Sequence, residues 1–235
     1  MTVQAIRKKL QALADPKQAA NLQRFFKTGP GDYGEGDRFL GLRVPQLRKL
    51  VKEFSGISIK DIQELMHSAI HEERLLALLL MVQHFQRSDE KGREALYRCY
   101  LASTACINNW DLVDASAGHI VGGWLFDKSR QPLYRLARSA SLWERRIAIM
   151  ATSFFIKQGD FAETLQLAES LLHDKHDLIH KAVGWMLREV GKRDLNAEEQ
   201  FLHKHYRQMP RTMLRYAIER FPEKKRQDYL KGRVD

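Results

Sequence analysis

Lys181-Ala-Val-Gly184 recurs, altered but recognisable, as Arg74-Leu-Leu-Ala77, Arg145-Arg-Ile-Ala148 and Leu214-Arg-Tyr-Ala217, each block closing on a small residue three positions after its start. The blocks beginning at 145, 181 and 214 are separated by 36 and 33 residues, and the 71 residues from 74 to 145 leave room for one more copy. Asp111-Leu-Val-Asp114 fills that place, with offsets of 37 and 34. Such periods belong to stacked helix pairs, in which each unit buries its apolar face only against its neighbours. The expected fold is therefore all-α, a curved α-solenoid of irregular HEAT-like helical hairpins forming one domain over residues 1–235.

The sequence around the blocks agrees. Glu73-Arg-Leu-Leu-Ala-Leu-Leu-Leu-Met-Val-Gln-His-Phe85 and Trp143-Glu-Arg-Arg-Ile-Ala-Ile-Met-Ala-Thr-Ser-Phe-Phe-Ile156 place apolar residues at three- and four-residue steps among strong helix formers. The six prolines, at positions 16, 30, 45, 132, 210 and 222, fall at segment boundaries, where they do not cost a helix its hydrogen bonds. Gly29-Pro-Gly-Asp-Tyr-Gly-Glu-Gly-Asp-Arg-Phe-Leu-Gly41 breaks the periodicity and reads as a loop between helices. It lacks a terminal Lys-Ser/Thr and carries Asp32, Glu35 and Asp37, which makes it a poor phosphate cradle.

Composition narrows the class of function. With 44% hydrophobic residues the chain can bury a substantial core. No stretch approaches eighteen uncharged apolar residues and the N-terminus has no signal-type apolar run, so a cytoplasmic protein without membrane attachment is expected. Cys99 and Cys106 are too few for a disulfide framework, and their spacing suggests small buried residues on one helix face. His173, His176, His180, His203 and His205 include no HExxH, and neither GxSxG nor a Cys-His nucleophile signature is present. No metal or cofactor is expected. The 39 Lys+Arg exceed the 29 Asp+Glu by ten, a surplus that favours anionic partners.

The repeat also isolates an exception. Four blocks close on Ala or Gly, sizes suited to close helix contact, whereas the fifth closes on Asp114. A carboxylate there is costly unless it faces a cleft or finds partners; otherwise the register of that block is off by a turn. Trp110, four residues earlier, shares its helical face; Asn108 or Asn109 is placed to cap that helix, and Asp111 suits its positive end. Trp185 and Arg188 lie on a common face of the 181 block. Arg145, Arg146, Lys181, Arg188, Lys192, Arg193, Arg211 and Arg215 recur at corresponding ends of the blocks, and a solenoid gathers corresponding positions into one track able to follow a duplex backbone. From Lys181 onward there are fourteen Lys/Arg against eight Asp/Glu, so the surplus leans toward the C-terminal part.

Taken in order, Phe39-Leu-Gly-Leu-Arg-Val-Pro45, Asn109-Trp-Asp-Leu-Val-Asp114, Leu142-Trp-Glu-Arg-Arg-Ile-Ala148 and Lys181-Ala-Val-Gly-Trp-Met-Leu-Arg-Glu189 resemble the AlkD-like DNA alkylation repair family, bacterial DNA glycosylases built of HEAT-like repeats. The resemblance spans most of the chain. It implies a monofunctional glycosylase that hydrolyses the N-glycosidic bond of cationic N3- or N7-alkylated purines in duplex DNA. By motif match it assigns Trp110, Asp114 and Trp185 to the lesion-bearing nucleotide and Arg146 and Arg188 to phosphates. It further implies action on the sugar without an enclosing base pocket, in keeping with the absence of any segment that announces one. The chain is expected to act as a monomer. The rival readings are a non-catalytic helical-repeat module that recognises DNA structure and a protein-binding scaffold.

Overall fold

The computed structural model describes residues 2–234, and among these the backbone is all-α, with a single isolated bridge between Arg38 and Ile70 and no strand. The chain divides into two compact units, Met1–Ile120 and Val121–Asp235.

The first unit holds α1 (Val3–Ala12), α2 (Pro16–Phe25), α3 (Val44–Glu53), α4 (Ile59–Met66), α5 (His71–Arg87), α6 (Glu90–Ala102) and the short α7 (Trp110–Asp114). Local chemistry sets their starts. Thr2, Asp15, Ser58 and Asp89 each accept a hydrogen bond from a first-turn amide, and Pro16 occupies a first-turn position of α2, where its missing N–H costs nothing. α5 is the hub. Its residues from His71 to Leu78 are buried all round, and α3, α4, α6 and α7 pack on it. From Leu75 to Leu78 it presents apolar residues on every face, and each fully buried Leu contributes about 1.5–3 kcal/mol.

The second unit holds α8 (Gly123–Leu125), α9 (Gln131–Ala137), α10 (Leu142–Ala151), α11 (Ser153–Lys157), α12 (Ala162–Ser170), α13 (Asp177–Gly191), α14 (Leu195–His205), α15 (Arg211–Ala217) and α16 (Glu223–Leu230). Pro210 and Pro222 stand at the caps of α15 and α16. Here α13 is the hub, packed on α10, α14 and α15. All five sequence blocks lie on helices, α5, α7, α10, α13 and α15, and Ala77, Ala148, Gly184 and Ala217 are buried. The reason for the small residue is clearest at Gly184, where a Cβ would stand 2.3 Å from the Met213 carbonyl oxygen and 2.6 Å from the Tyr216 Cβ. The backbones of α13 and α15 touch there.

The two cysteines do not share a helix. α6 ends at Ala102, where the Ser103 hydroxyl donates to the Cys99 carbonyl at 2.8 Å, and Cys106 falls in the following 3-10 turn. Cys99 is buried, Cys106 half-buried, and both are free thiols.

Because the α13–α15 contact has no room for a methyl group, Gly184→Ala is expected to lower stability by about 1–3 kcal/mol, read as a reduced urea midpoint with unchanged slope. An unaltered midpoint would mean that the two helices separate without cost.

Candidate functional site

The site in the first unit is built at the point where the glycine-rich loop, the start of α5 and the start of α7 meet. His71, the first residue of α5, is 1% exposed and donates to two carboxylates: from Nδ1 to Asp37 Oδ2 at 3.1 Å and from Nε2 to Asp111 Oδ2 at 2.8 Å. Burial works against its charge, but the hydrogen bonds to Asp111 and Asp37 outweigh that effect and raise its pKa to about 9. His71 is therefore an imidazolium at neutral pH. Asp37, itself buried, also accepts from Arg74 Nη2 at 2.7 Å and from Asn108 Nδ2 at 2.8 Å. Burial alone would raise the Asp37 carboxyl; the His71 hydrogen bond and the Arg74 charge more than reverse this and hold it below its ordinary value.

The loop is tied down a second time. The Glu72 carboxylate accepts from the amides of Leu40, Gly41 and Leu42 at 3.0, 2.8 and 3.2 Å. Gly41 has φ +92, and a Cβ there would lie 2.2 Å from the Asp15 carbonyl oxygen, so only glycine brings the loop this close to α2.

These anchors orient α7. Asn109 is its cap, accepting from the Trp110 amide at 2.9 Å, while Asn108 serves the Asp37 network instead. Asp111 sits on the first turn, held by His71. Trp110 and Asp114 are both half-buried and four residues apart, as the sequence spacing requires. Asp114 lies near enough to Tyr100 for its charge, after burial, to help raise the phenol pKa; the Tyr100 hydroxyl bonds the Ser116 hydroxyl at 3.0 Å.

Beside α7 the same unit opens a cavity of about 370 Å³. Its walls are Leu22 and Phe25 of α2, Phe39 and Leu42 of the loop, Val44 and Pro45 of α3, and Trp110, with Asp111 and Arg43 among its few polar members. Phe26 stacks on Trp110 with centroids 5.1 Å apart and on Phe39 at 5.2 Å, and Phe39 stacks on His71 at 4.4 Å. Two of the sequence motifs, Phe39–Pro45 and the segment of Trp110, contribute to this cavity, but its walls come from four separate segments, and Phe25, Phe26 and His71 lie outside any motif.

In the second unit, Trp185 is half-buried and donates from Nε1 to Glu189 Oε1 at 3.2 Å. The basic residues of the expected track are largely engaged. Arg145 bonds Asp174 at 2.6 Å and the carbonyls of Ser139 and Ala140; Lys181 pairs with Asp177 at 2.7 Å; Lys192 pairs with Glu189 at 2.6 Å. Arg188 pairs with Glu219 and, at 3.5 Å, with Glu189, to which Arg193 also extends at 4.0 Å. Arg146 is 4% exposed and donates to the Leu178 carbonyl at 2.5 Å, so it joins α10 to α13 rather than standing in solvent. Arg211 and Arg215 are exposed, with no ion pair among the described residues.

The profile of the DNA alkylation repair enzyme family matches residues 6–221, and the chain belongs to that family. A structure described as a predicted DNA alkylation repair enzyme from Enterococcus faecalis superposes with a TM-score of 0.69, covering 89% of this chain and 97% of its own at 18% identity, which establishes the shared fold. No curated protein matches the chain. No helix among the described residues is long and apolar enough to cross a membrane.

The raised pKa of His71 has a definite sign. It contributes stability that is complete below its unfolded value near 6.5 and is lost as pH rises through about 9. The melting temperature is therefore expected to fall between pH 6.5 and 9, at about 2–4 °C per kcal/mol lost, and His71→Gln should flatten that decline. Parallel curves for the two proteins would exclude His71 as its source.

Proposed function

We propose that this member of the DNA alkylation repair enzyme family is a monofunctional glycosylase, hydrolysing the N-glycosidic bond of purines made cationic by alkylation at N3 or N7. The observation that carries the reading is Asp114, a half-buried carboxylate one helical turn from an indole, at the position where the other four blocks carry Ala or Gly.

The chemistry suits so sparse a site. An alkylated purine carries positive charge and leaves without a strong general acid. As the C1′–N bond stretches, its electron pair moves into the purine ring and neutralises it, while positive charge grows at C1′ and the ring oxygen. A fixed carboxylate lowers the energy of that oxocarbenium-like centre and orients the attacking water, whose oxygen forms the new bond to C1′ and whose proton is lost to solvent. Trp110 would supply an indole face, adding cation–π attraction to the developing charge. Chemistry confined to the sugar needs no pocket enclosing the base. The substrate is duplex DNA bearing alkylated purines, bound by a monomer in the cytoplasm. Phosphate contacts dominate binding, so affinity is steeply salt-dependent with little sequence preference.

Incubation with duplex DNA containing 7-methylguanine is expected to release the free base. Retained binding without release would favour a non-catalytic DNA-binding module. Asp114→Asn should lose most excision yet keep DNA affinity, because its carboxylate acts on charge present only in the transition state; equal loss of both would sink that role. Among the basic residues, Arg211 and Arg215 have guanidinium groups available for phosphates. Replacing both with Ala is expected to reduce the slope of log affinity against log salt by about two, and an unchanged slope would remove them from the phosphate contacts.

A further inference from the structure

The cavity beside α7 has a composition that sugar chemistry does not call for. It is lined almost wholly by carbon, and its volume of about 370 Å³ lies within the range of small-ligand sites, about 300–1,000 Å³. Phe25, on its rim, is 63% exposed, the most exposed large hydrophobic residue described. Its ring is not loose: it meets Phe26 edge-on at 5.1 Å and Trp110 edge-on at 5.9 Å, with interplanar angles of 87° and 75°. An aromatic face is thus held open to solvent at the mouth of an aromatic slot.

The surroundings are cationic. α2 and α3, which wall the slot, carry Lys17, Arg24, Arg48, Lys49 and Lys52 against the single acid Glu53, and Arg43 precedes α3 on the slot itself; the two carboxylates in the lining, Glu72 and Asp111, are taken up by loop amides and by His71. Lys17, Arg48, Lys49 and Lys52 are exposed, with no ion pair among the described residues. Flat apolar walls beside free cations match one chemistry: a heteroaromatic ring attached to a phosphate backbone.

We propose that this slot receives an unstacked nucleobase of the bound DNA strand, with Phe25 as its stacking platform and Arg43 at its mouth facing a phosphate. The inference rests on the DNA-repair reading above and extends it. Trp110 is common to both, so a base that has lost its stacking in the duplex is accommodated beside the residue assigned to the sugar. Because Phe25 remains largely exposed, the base is held by one open face rather than enclosed. The energy of unpairing favours bases already unpaired or damaged.

The test compares two DNA duplexes, one with a single bulged adenine and one fully paired, by fluorescence anisotropy with the full-length protein. Phe25→Ala is expected to weaken binding of the bulged duplex about tenfold, to leave the paired duplex within about twofold, and to be rescued by Phe25→Trp. Equal weakening on both duplexes, or no weakening on either, overturns the slot. Tighter binding of the same bulge in RNA than in DNA overturns the choice of DNA. The outcome separates from that of the repair reading. Release of 7-methylguanine together with normal bulge binding by Phe25→Ala removes the slot and leaves the glycosylase, whereas bulge-selective loss without any base release keeps the slot and removes the glycosylase.

Discussion

A protonated histidine between two carboxylates holds the first unit in the form its site requires. His71 joins Asp37 in the glycine-rich loop to Asp111 on α7, across 34 and 40 residues of sequence. Arg74 and Asn108 complete the cluster, so a buried carboxylate, Asp37, and a half-buried one, Asp111, face two buried cations. Breaking one member of such a set leaves an uncompensated charge in a low dielectric, a loss of about 3–5 kcal/mol in comparable cases. The position of Trp110 and Asp114 thus depends on a contact neither residue makes. A loop rich in glycine would otherwise have little to hold its shape; here Asp37 and the three amides bound by Glu72 tether it at two points.

The second unit is tied together by a different device, in which an arginine on one helix reaches a partner about one period further along the chain. Arg145 meets Asp174, Arg130 meets Glu163, Arg188 meets Glu219, and Arg146 meets the Leu178 carbonyl, at separations of 29, 33, 31 and 32 residues. Of the side chains that the sequence presents as a row of cations, Arg145, Arg146 and Arg188 therefore act as struts between neighbouring segments, whereas Lys181, Lys192 and Arg193 pair locally with carboxylates of α13. Partly buried pairs of this kind fix the relative setting of helices more than they add net stability.

This explains what could and could not be read from residues alone. The helical class and the small-residue contacts were legible because they are periodic: Ala77, Ala148, Gly184 and Ala217 announce themselves by spacing, and Asp114 by violating it. The end of α6 was less so: the helix stops at Ala102 and Cys106 falls in the 3-10 turn that follows, so Cys99 and Cys106 do not share a helix. The imidazolium and the aromatic slot were not legible at all. Each is assembled from segments far apart in sequence, and Phe25 and His71 have no local pattern that distinguishes them from ordinary core. Among the basic residues, type and position were visible but partners were not, and the partners separate a strut such as Arg146 from an exposed cation such as Arg211.

Glu198 shows how far the formal charge is from the working one. Its side chain is 2% exposed and packs over Gly191, and burial together with the charge of Glu199 pushes its carboxyl up to about 8. At neutral pH it is mostly a neutral acid, while His71, counted as neutral in the formal sum of +10, carries a proton. Both departures have the same sign. At these two sites the folded chain therefore holds more protons than the unfolded one at pH 7, so folding takes protons up there, and the surroundings of His71 and Glu198 are more positive than the sequence declares.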